Sequence, residues 1–502
     1  MPGTAQCWQN VDFRYFYALQ KIMKRLFLPT LFCLLTIFAT AQSFKITLNV
    51  PQFKSGIAFL TYYSGKNFNI EDSAAVNNMG VAVFEGKRKL PGGIYSIFLP
   101  GKTKYADFFI DKEQVITIKL DSADLVNKMV VTGSKEDALF REYQKFVAAK
   151  GKAWEQERTA YNNSKTKEDS VLHEANYNKL NKELNDYREN VMKTQPQSML
   201  AATLNAMKEP PILHAQPKNR TDSLENYYHY RKHYWDGVTF MDERIIRSPF
   251  FQPKFEKYYR EIAVQHPDSI IKEMDYQLLL ARSCPEMYKF ILNWATDEYI
   301  NPKYMGLDAV FVHLFEKYHG PGLTNWLNEK QMEIIKRRYY MVVSTILGAK
   351  APELEMLDTT GKPSSLYNLN ADYTVVIFWD PNCGHCKEEV PRLDSFYKAS
   401  WKKEGVRVYA VLSGDTKENV KPAWLKFIHE HNLDEWTNVY LTKEMEDADA
   451  AAQKPSYRQL YDVIMTPTIL LLDKNKNIMA KKLTLKQIDE LLQVKINSTK
   501  TK

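Results

Sequence analysis

Between Phe44 and about residue 133, short runs of β-branched and aromatic residues alternate with turns that contain glycine, asparagine or proline. Short apolar runs separated at regular intervals by turn residues are typical of an all-β domain. The pattern predicts a small β-sandwich or barrel over residues 42–133. The predicted strands are residues 44–50, 57–63, 81–85, 93–99 and 115–120.

Near Ser134 the spacing of apolar positions lengthens to the three and four residue steps of an amphipathic helix. Ser134 is a good helix N-cap, and helical patterning continues to about Leu347. We therefore predict an all-α domain over residues 134–347. Within it, Cys284 has no second cysteine nearby, and a lone cysteine of this kind is expected to be a buried thiol.

From residue 351 onward, strand and helix patterns alternate. The predicted strands are residues 374–379, 406–412, 468–472 and 478–481, and the predicted helices are residues 386–399, 420–431 and 484–494. This order predicts an α/β domain over residues 351–502, with a mixed central sheet covered by helices. The chain as a whole is thus predicted to be multidomain: all-β, then all-α, then α/β.

The segment at residues 23–41 has the three parts of a secretory signal: a basic start, an apolar run over residues 26–38, and a small-residue end. The alternative is a membrane anchor, but the run is shorter than the roughly 20 residues that span a bilayer, and Pro29 interrupts it. We expect cleavage before Gln42 and export to the periplasm or outer cell face of a Gram-negative bacterium. Residues 1–22 resemble no part of a signal and are expected to be a gene-model extension.

The composition, with 44% hydrophobic and 25% charged residues, is that of an ordinary globular protein and not of an integral membrane protein. Although the formal net charge is +8, basic and acidic residues are interspersed, so the basic stripe of a nucleic-acid binder is missing. Two of the five cysteines, Cys7 and Cys33, fall in the segment expected to be removed. The remaining three are too few for a disulfide scaffold.

Cys383 and Cys386 lie where an apolar strand gives way to a helix. Free N–H groups and the helix dipole at a helix N-terminus stabilise a thiolate, the attacking species in disulfide exchange, so Cys383 is the predicted nucleophile. Cys386 follows by about one helical turn and can form a disulfide with it, which makes it the predicted resolving thiol. His385 can carry positive charge and favour the thiolate. This chemistry needs no cofactor and no metal.

The segment from about Ala351 to the end, which contains this dithiol, resembles the ResA/TlpA branch of the thioredoxin-like family. The matching positions are Ala351-Pro352, Asp358 to Gly361, Phe378-Trp379, Cys383 to Cys386, Glu389, Pro391 and Thr466-Pro467-Thr468. The resemblance implies that Pro467, with Thr466 and Trp379, flanks the disulfide on the substrate-binding side. It also implies that Glu389 assists proton transfer to the resolving thiol.

The Cys-Gly-His-Cys motif resembles that of protein disulfide isomerase more than that of most reducing members of the branch, and residues 442–455 resemble an insertion. We predict an exported thiol-disulfide oxidoreductase that acts on protein thiols and disulfides, as a reductase served by a membrane-linked reductant. One alternative is a copper- or zinc-handling protein that uses Cys383, His385 and Cys386. Another is an interaction protein whose redox module is inactive.

Overall fold

The computed structural model describes residues 44–414 and 420–500. The predicted extension at residues 1–22 and the predicted signal at residues 23–41 lie outside this part of the chain. In the part that is described, no helix combines the length and the apolar character needed to cross a membrane. The chain forms two compact units, one running up to Lys208 and including Arg244–Pro253, the other made of Glu209–Glu243 and the residues from Lys254 onward.

The first unit contains a β-sandwich. Its strands are β1 (Phe44–Asn49), β2 (Ile57–Ser64), β3 (Asn67–Ala75), β4 (Val81–Gly86), β5 (Gly93–Phe98), β6 (Tyr105–Ile110), β7 (Val115–Lys119) and β8 (Val130–Thr132). They form two four-stranded sheets with the orders β4-β1-β7-β8 and β3-β2-β5-β6. Ile46 from one sheet shares an apolar core with Leu60 and Ile97 from the other, so the domain is a sandwich and not a barrel.

Three helices complete the first unit: α1 (Lys135–Asn163), α2 (Lys167–Thr194) and α3 (Met199–Met207). The predicted N-cap is confirmed, since the Ser134 hydroxyl accepts a hydrogen bond from the Asp137 N–H at 3.1 Å. The Phe140 ring of α1 stacks on Phe109 of the sandwich, with ring centroids 4.0 Å apart. Because α1 packs on the sandwich in this way, the helices predicted as one domain are distributed over both units; the boundaries at residues 133 and 347 stay predictions.

The other helices before the redox domain are α4 (Arg220–His233), α5 (Phe251–Lys257), α6 (Pro267–Ala281), α7 (Pro285–Tyr299), α8 (Asp308–Leu314) and α9 (Glu329–Val342). Short 3₁₀ or π turns lie at Glu243–Arg247, Tyr258–Ile262, Phe315–His319 and Val343–Thr345. Met274, Ile291 and Val310 on the apolar faces of α6, α7 and α8 are fully buried. Cys284 is also buried, as predicted.

The C-terminal domain has a seven-stranded sheet. Its strands are β9 (Glu355–Asp358), β10 (Pro363–Ser365), β11 (Tyr373–Trp379), β12 (Val406–Leu412), β13 (Thr437–Tyr440), β14 (Thr468–Asp473) and β15 (Ile478–Lys481). Its helices are α10 (Gly384–Ala399), α11 (Lys421–Glu430), α12 (Lys443–Ala451), α13 (Tyr457–Leu460) and α14 (Leu485–Lys500), with a 3₁₀ turn at Trp401–Glu404. The strand order is β10-β9-β13-β12-β11-β14-β15.

The sheet is mixed, as predicted, because β11 pairs in parallel with β12 and antiparallel with β14. Alternate residues of β11 enter two different apolar cores: Val375 and Ile377 join one, and Val376 and Phe378 join the other. A strand that is buried on both faces reads as a continuous apolar run, which explains the uninterrupted sequence of β11. The predicted order of an all-β, a helical and an α/β region is confirmed.

Candidate redox site

The central strand β11 leads directly into the Cys383–Cys386 motif. After the strand, the Asp380 carboxylate accepts a hydrogen bond from the Asn382 N–H at 2.8 Å, and the Asp380 carbonyl accepts one from the Cys383 N–H at 3.1 Å. These two bonds form a tight turn. The helix α10 begins at the next residue, Gly384, so Cys383 is its N-cap, at the helix terminus where the sequence pattern predicts it.

The Cys383 thiol is partly exposed. Its burial by itself would raise the pKa of the thiol, but hydrogen bonds from the N–H groups of Cys386 and His385, the Thr466 side chain and the Cys386 thiol outweigh this effect and lower the pKa below the ordinary value. A lowered pKa increases the thiolate fraction at neutral pH. The surroundings of Cys383 therefore favour a nucleophile.

Cys386 has the opposite environment. Its side chain is fully buried within the core on one face of the sheet. Burial raises the pKa of this thiol to about 12, and the hydrogen bond to Cys383 adds to that effect, whereas the Asp380 N–H, which donates to the sulfur at 3.5 Å, opposes it. Cys386 is thus a protonated thiol that donates to Cys383. This contact with the Asp380 backbone was not predicted, since a main-chain donor leaves no signal in the sequence.

The segment before β14 reaches the same place from a distant part of the chain. The Cys383 thiol donates a hydrogen bond to the Thr466 carbonyl at 3.4 Å, across 83 positions of sequence. The Thr466–Pro467 peptide bond is cis. The structure therefore brings Thr466 and Pro467 to the dithiol, where the family resemblance implies a substrate-binding segment.

The side chains of Glu389 and His385 form no hydrogen bond with the sulfur atoms in the described part of the chain. The Glu389 carboxylate pairs with Arg392, three residues further along α10, and its side chain is 30% exposed. No hydrogen bond joins Glu389 to Cys386 in the described part of the chain. The His385 side chain is exposed, and the contribution of this residue to the Cys383 thiol comes from its backbone N–H.

Trp379 does not occupy the position that the resemblance implies. The side chain is completely buried, and its ring packs against Phe427 with centroids 5.1 Å apart. The burial pattern of β11 explains this placement, because the strand is covered on both faces up to its last residue. A ring without exposed surface cannot contact a protein substrate. The prediction that Trp379 binds substrate is therefore wrong, and the residue belongs to the core beneath the motif.

The described residues contain no metal centre around the dithiol. Within residues 44–414 and 420–500, no group of three or more His, Cys, Asp and Glu side chains is placed to hold a metal ion. The two redox cysteines are both free thiols. The arrangement consists of a partly exposed thiol, a buried thiol in contact with it, and a backbone segment that meets the partly exposed thiol.

Comparison with known proteins agrees with this arrangement. Residues 347–481 match the AhpC/TSA family, and residues 44–140 match a domain of unknown function, DUF4369. No curated protein matches the chain.

Several solved structures are similar to parts of the chain. A domain of a possible thiol-disulfide isomerase from Cytophaga hutchinsonii is 38% identical over 31% of this chain and 97% of its own, with a TM-score of 0.27. A thioredoxin-like protein from Bacteroides caccae is 22% identical over 57% of this chain and 98% of its own, with a TM-score of 0.42. A thiol:disulfide interchange protein from Bacteroides sp. is 27% identical over 31% of this chain and 92% of its own, with a TM-score of 0.26.

A mixed sheet covered by helices, with a dithiol at the N-terminus of the helix that follows the central strand, defines the class of thioredoxin-like proteins. By its fold and by its match to the AhpC/TSA family over residues 347–481, the C-terminal domain of this chain is a thioredoxin-like thiol-disulfide oxidoreductase domain. The N-terminal sandwich lies within the residues that match DUF4369. The expected thioredoxin-like membership is confirmed.

Proposed function

We propose that this protein reduces disulfide bonds in exported protein substrates through Cys383 and Cys386. The observation that supports this function best is the contrast between the two thiols. Cys383 is accessible and its pKa is lowered, whereas Cys386 is buried and its pKa is raised to about 12. A dithiol of this kind has one sulfur that attacks and one that waits until a mixed disulfide has formed.

The proposed cycle begins when the Cys383 thiolate attacks one sulfur of a substrate disulfide. A bond forms between Cys383 and that sulfur, the substrate S–S bond breaks, and the other substrate sulfur leaves as a thiolate that takes up a proton. Cys386 then loses its proton and attacks the Cys383 sulfur. This step releases the second substrate thiol and leaves a Cys383–Cys386 disulfide. Two electrons have passed from the protein to the substrate.

Each new cycle requires two electrons to reduce the Cys383–Cys386 disulfide. For an exported protein, we propose that a membrane-linked dithiol reductant supplies them, since the compartment itself is oxidising. Export is proposed from the signal pattern at residues 23–41. Sequencing the N-terminus of the protein isolated from the envelope of its native host tests this: a start at Gln42 supports export with cleavage, and a start upstream of residue 23 contradicts it.

The other predicted site residues have proposed roles in the same cycle. Glu389 would accept the proton of Cys386, which requires its carboxylate to exchange Arg392 for the thiol during the reaction. His385 would favour the thiolate by its positive charge. Thr466 and Pro467 would contact the substrate backbone beside Cys383, a role supported by the hydrogen bond between the Cys383 thiol and the Thr466 carbonyl.

The equilibrium redox potential of the Cys383/Cys386 pair is the decisive measurement. A reversible two-electron couple near the thioredoxin value of about −270 mV supports a reductase, and one near the DsbA value of about −120 mV contradicts the reducing direction. Cys383→Ser and Cys386→Ser serve as controls, because neither variant can form the pair. Absence of any reversible couple, together with tight metal binding by the same sulfurs, would favour the metal-handling alternative.

A further inference from the structure

The segment that faces Cys383 is a loop of residues 462–466, between α13 and β14. Its last residue, Thr466, contacts the Cys383 thiol at 3.4 Å. Its middle residues Ile464 and Met465 are 62% and 72% exposed, so neighbouring side chains do little to fix them. The position of Thr466 relative to the sulfur therefore depends on how the two ends of the loop are held.

The first end is held by a buried ion pair. Arg338 in α9 forms a fork of two hydrogen bonds to the carboxylate of Asp462, the first residue of the loop, one of them at 3.1 Å. The two side chains are only 9% and 2% exposed. The same guanidinium also donates to the Ile300 carbonyl at 3.1 Å, which orients it from the other side. A bidentate pair fixes both the distance and the plane of the carboxylate.

The backbone at Asp462 has a positive φ of 53°, a left-handed conformation that an aspartate tolerates better than most residues. Burial acts to raise the pKa of the carboxylate, but hydrogen bonds and charges from Arg338 and Lys482 lower it below its ordinary value. Lys482 contacts the carboxylate at 2.9 Å but is itself 54% exposed. Arg338 is thus the buried cation that keeps Asp462 ionised and in place.

The strand after the loop is held in a similar way. β14 pairs with β15, whose last residue, Lys481, forms an ion pair with Asp308 at the start of α8; the two side chains are 5% and 6% exposed. The Lys481 ammonium also donates to the Thr345 hydroxyl at 3.0 Å. Ion pairs to the helical region therefore bracket the segment that carries Thr466.

Buried ion pairs of this kind are weak sources of stability, because the cost of removing both charges from water offsets their attraction. Replacing one partner is costly, however, since it leaves a buried charge without compensation. What a buried, bidentate pair supplies is geometry. Here the pair fixes the start of the loop whose carbonyl contacts the nucleophilic sulfur.

We propose that Arg338 is a positioning residue for disulfide exchange: by holding Asp462, it fixes the 462–466 loop so that Thr466 meets the Cys383 sulfur. This inference rests on the proposed function. It assigns part of the helical region a role in the reaction, although within residues 44–414 and 420–500 no hydrogen bond joins that region to either sulfur atom.

The test compares Arg338→Met with Arg337→Met in the full chain. Arg337 is the preceding residue of α9 and is exposed, so its replacement removes the same charge without disturbing Asp462. Two quantities are measured: the pH midpoint of thiolate formation at Cys383, followed by ultraviolet absorbance, and the rate of exchange with a small aromatic disulfide. For Arg338→Met we expect a higher midpoint, because displacing the loop weakens the hydrogen bond from the Thr466 side chain that lowers the pKa of the Cys383 thiol. The rate at neutral pH should fall to about one third of the wild-type rate or below, because less thiolate is present. Arg337→Met should match the wild type in both.

Asp462→Asn and Arg338→Lys keep the test decisive if Arg338→Met does not fold. Asparagine tolerates the positive φ and keeps the shape of the side chain while removing the charge, and lysine keeps the charge while removing the fork. Asp462→Asn should shift the midpoint as Arg338→Met does, and Arg338→Lys should lie between that variant and the wild type.

Unchanged midpoints and rates in folded Arg338→Lys and Asp462→Asn, equal to those of Arg337→Met, would overturn the positioning role while leaving the proposed function intact. A wild-type protein that forms the Cys383 thiolate but exchanges no disulfide would overturn the proposed function instead. In that case the midpoint alone still decides whether Arg338 positions the loop.

Discussion

Two helices in the described part of the chain are capped by a cysteine at the N-terminus: α7 by Cys284 and α10 by Cys383. Both residues are N-caps with extended backbone angles, and the helices are of similar length, 15 and 16 residues. If the helix dipole alone determined the chemistry of a capping thiol, the two cysteines would be alike. Their pKa values shift in opposite directions: the pKa is raised at Cys284 and lowered at Cys383.

At Cys284 the surroundings disfavour the thiolate. The side chain is 7% exposed, and burial is the main cause of its raised pKa. The negative charges of Glu243 and Asp242 raise it further, and the thiol contacts a Glu243 carboxylate oxygen at 3.9 Å. The first helical residue is Pro285, which has no N–H to offer the sulfur. The N–H groups of Met287 and Glu243 do donate to the sulfur, but they lower the pKa less than burial and charge raise it.

At Cys383 the first helical residue is Gly384, and the first turn of α10 contains no acidic residue. The sulfur there receives hydrogen bonds from backbone N–H groups and from a second thiol. A helix N-terminus therefore does not by itself make a nucleophile. At Cys284, burial and carboxylate charge outweigh the hydrogen bonds that the thiol receives, whereas at Cys383 the hydrogen bonds outweigh burial, and this balance distinguishes the two thiols.

The largest difference between the two helix ends should appear in activity. Cys383→Ser is expected to lower the rate of disulfide reduction by about a thousandfold or more, since it removes the attacking sulfur. Cys284→Ala should retain the wild-type rate, because this thiol has no part in the proposed cycle. Reduction of an insulin disulfide under a chemical dithiol gives both rates, and a comparable loss in the two variants would end the distinction.

The second cysteine of α10 should matter at a later step. Cys386→Ala leaves Cys383 able to attack but removes the thiol that resolves the mixed disulfide, so we expect turnover to fall about a hundredfold and the mixed disulfide to accumulate. Non-reducing electrophoresis followed by mass spectrometry measures this species. Full turnover without accumulation would show that an external thiol, and not Cys386, completes the reaction.

Alkylation of the native protein separates the three thiols directly. At neutral pH, iodoacetamide should modify Cys383 about a hundredfold faster than Cys284 or Cys386, because alkylation requires an accessible thiolate. The Cys386 thiol, with a pKa raised to about 12, should stay protonated throughout the working range of pH. The rate at Cys383 should rise with pH and level off earlier than that of an ordinary thiol. Peptide mass spectrometry measures each rate, and equal labelling of Cys284 would contradict the comparison.

Much of this arrangement is visible in the sequence where a regular period runs long enough. The bounds predicted for β12 and β15 agree with the structure, because both strands are buried apolar runs. The prediction missed β9 and β13, which have four residues each and are too short to show a period. It also missed β3, an edge strand of its sheet whose residues are all at least partly exposed. The strands β6, β8 and β10 were missed as well, although β6 has six residues and is largely buried.

The site was predictable only where it is local. The spacing of Cys383 and Cys386 and the change from strand to helix lie within a few residues. Thr466 is 83 positions away from Cys383, and only the family resemblance indicated that the two would meet. The pair of Arg338 and Asp462 spans 124 positions, and two charged residues among many carry no pattern that would join them.

The smallest expected effect is at the inert cysteine. Glu243→Gln removes the negative charge nearest the Cys284 thiol and should lower its pKa, so alkylation of Cys284 is expected to become about two- to threefold faster. It should still be much slower than at Cys383, because burial, the main cause of the raised pKa, is unchanged. Glu298→Gln, near the other end of α7, removes the same charge without approaching the thiol and is the matched control. If Glu243→Gln made Cys284 as reactive as Cys383, carboxylate charge rather than burial would be what separates the two helix ends.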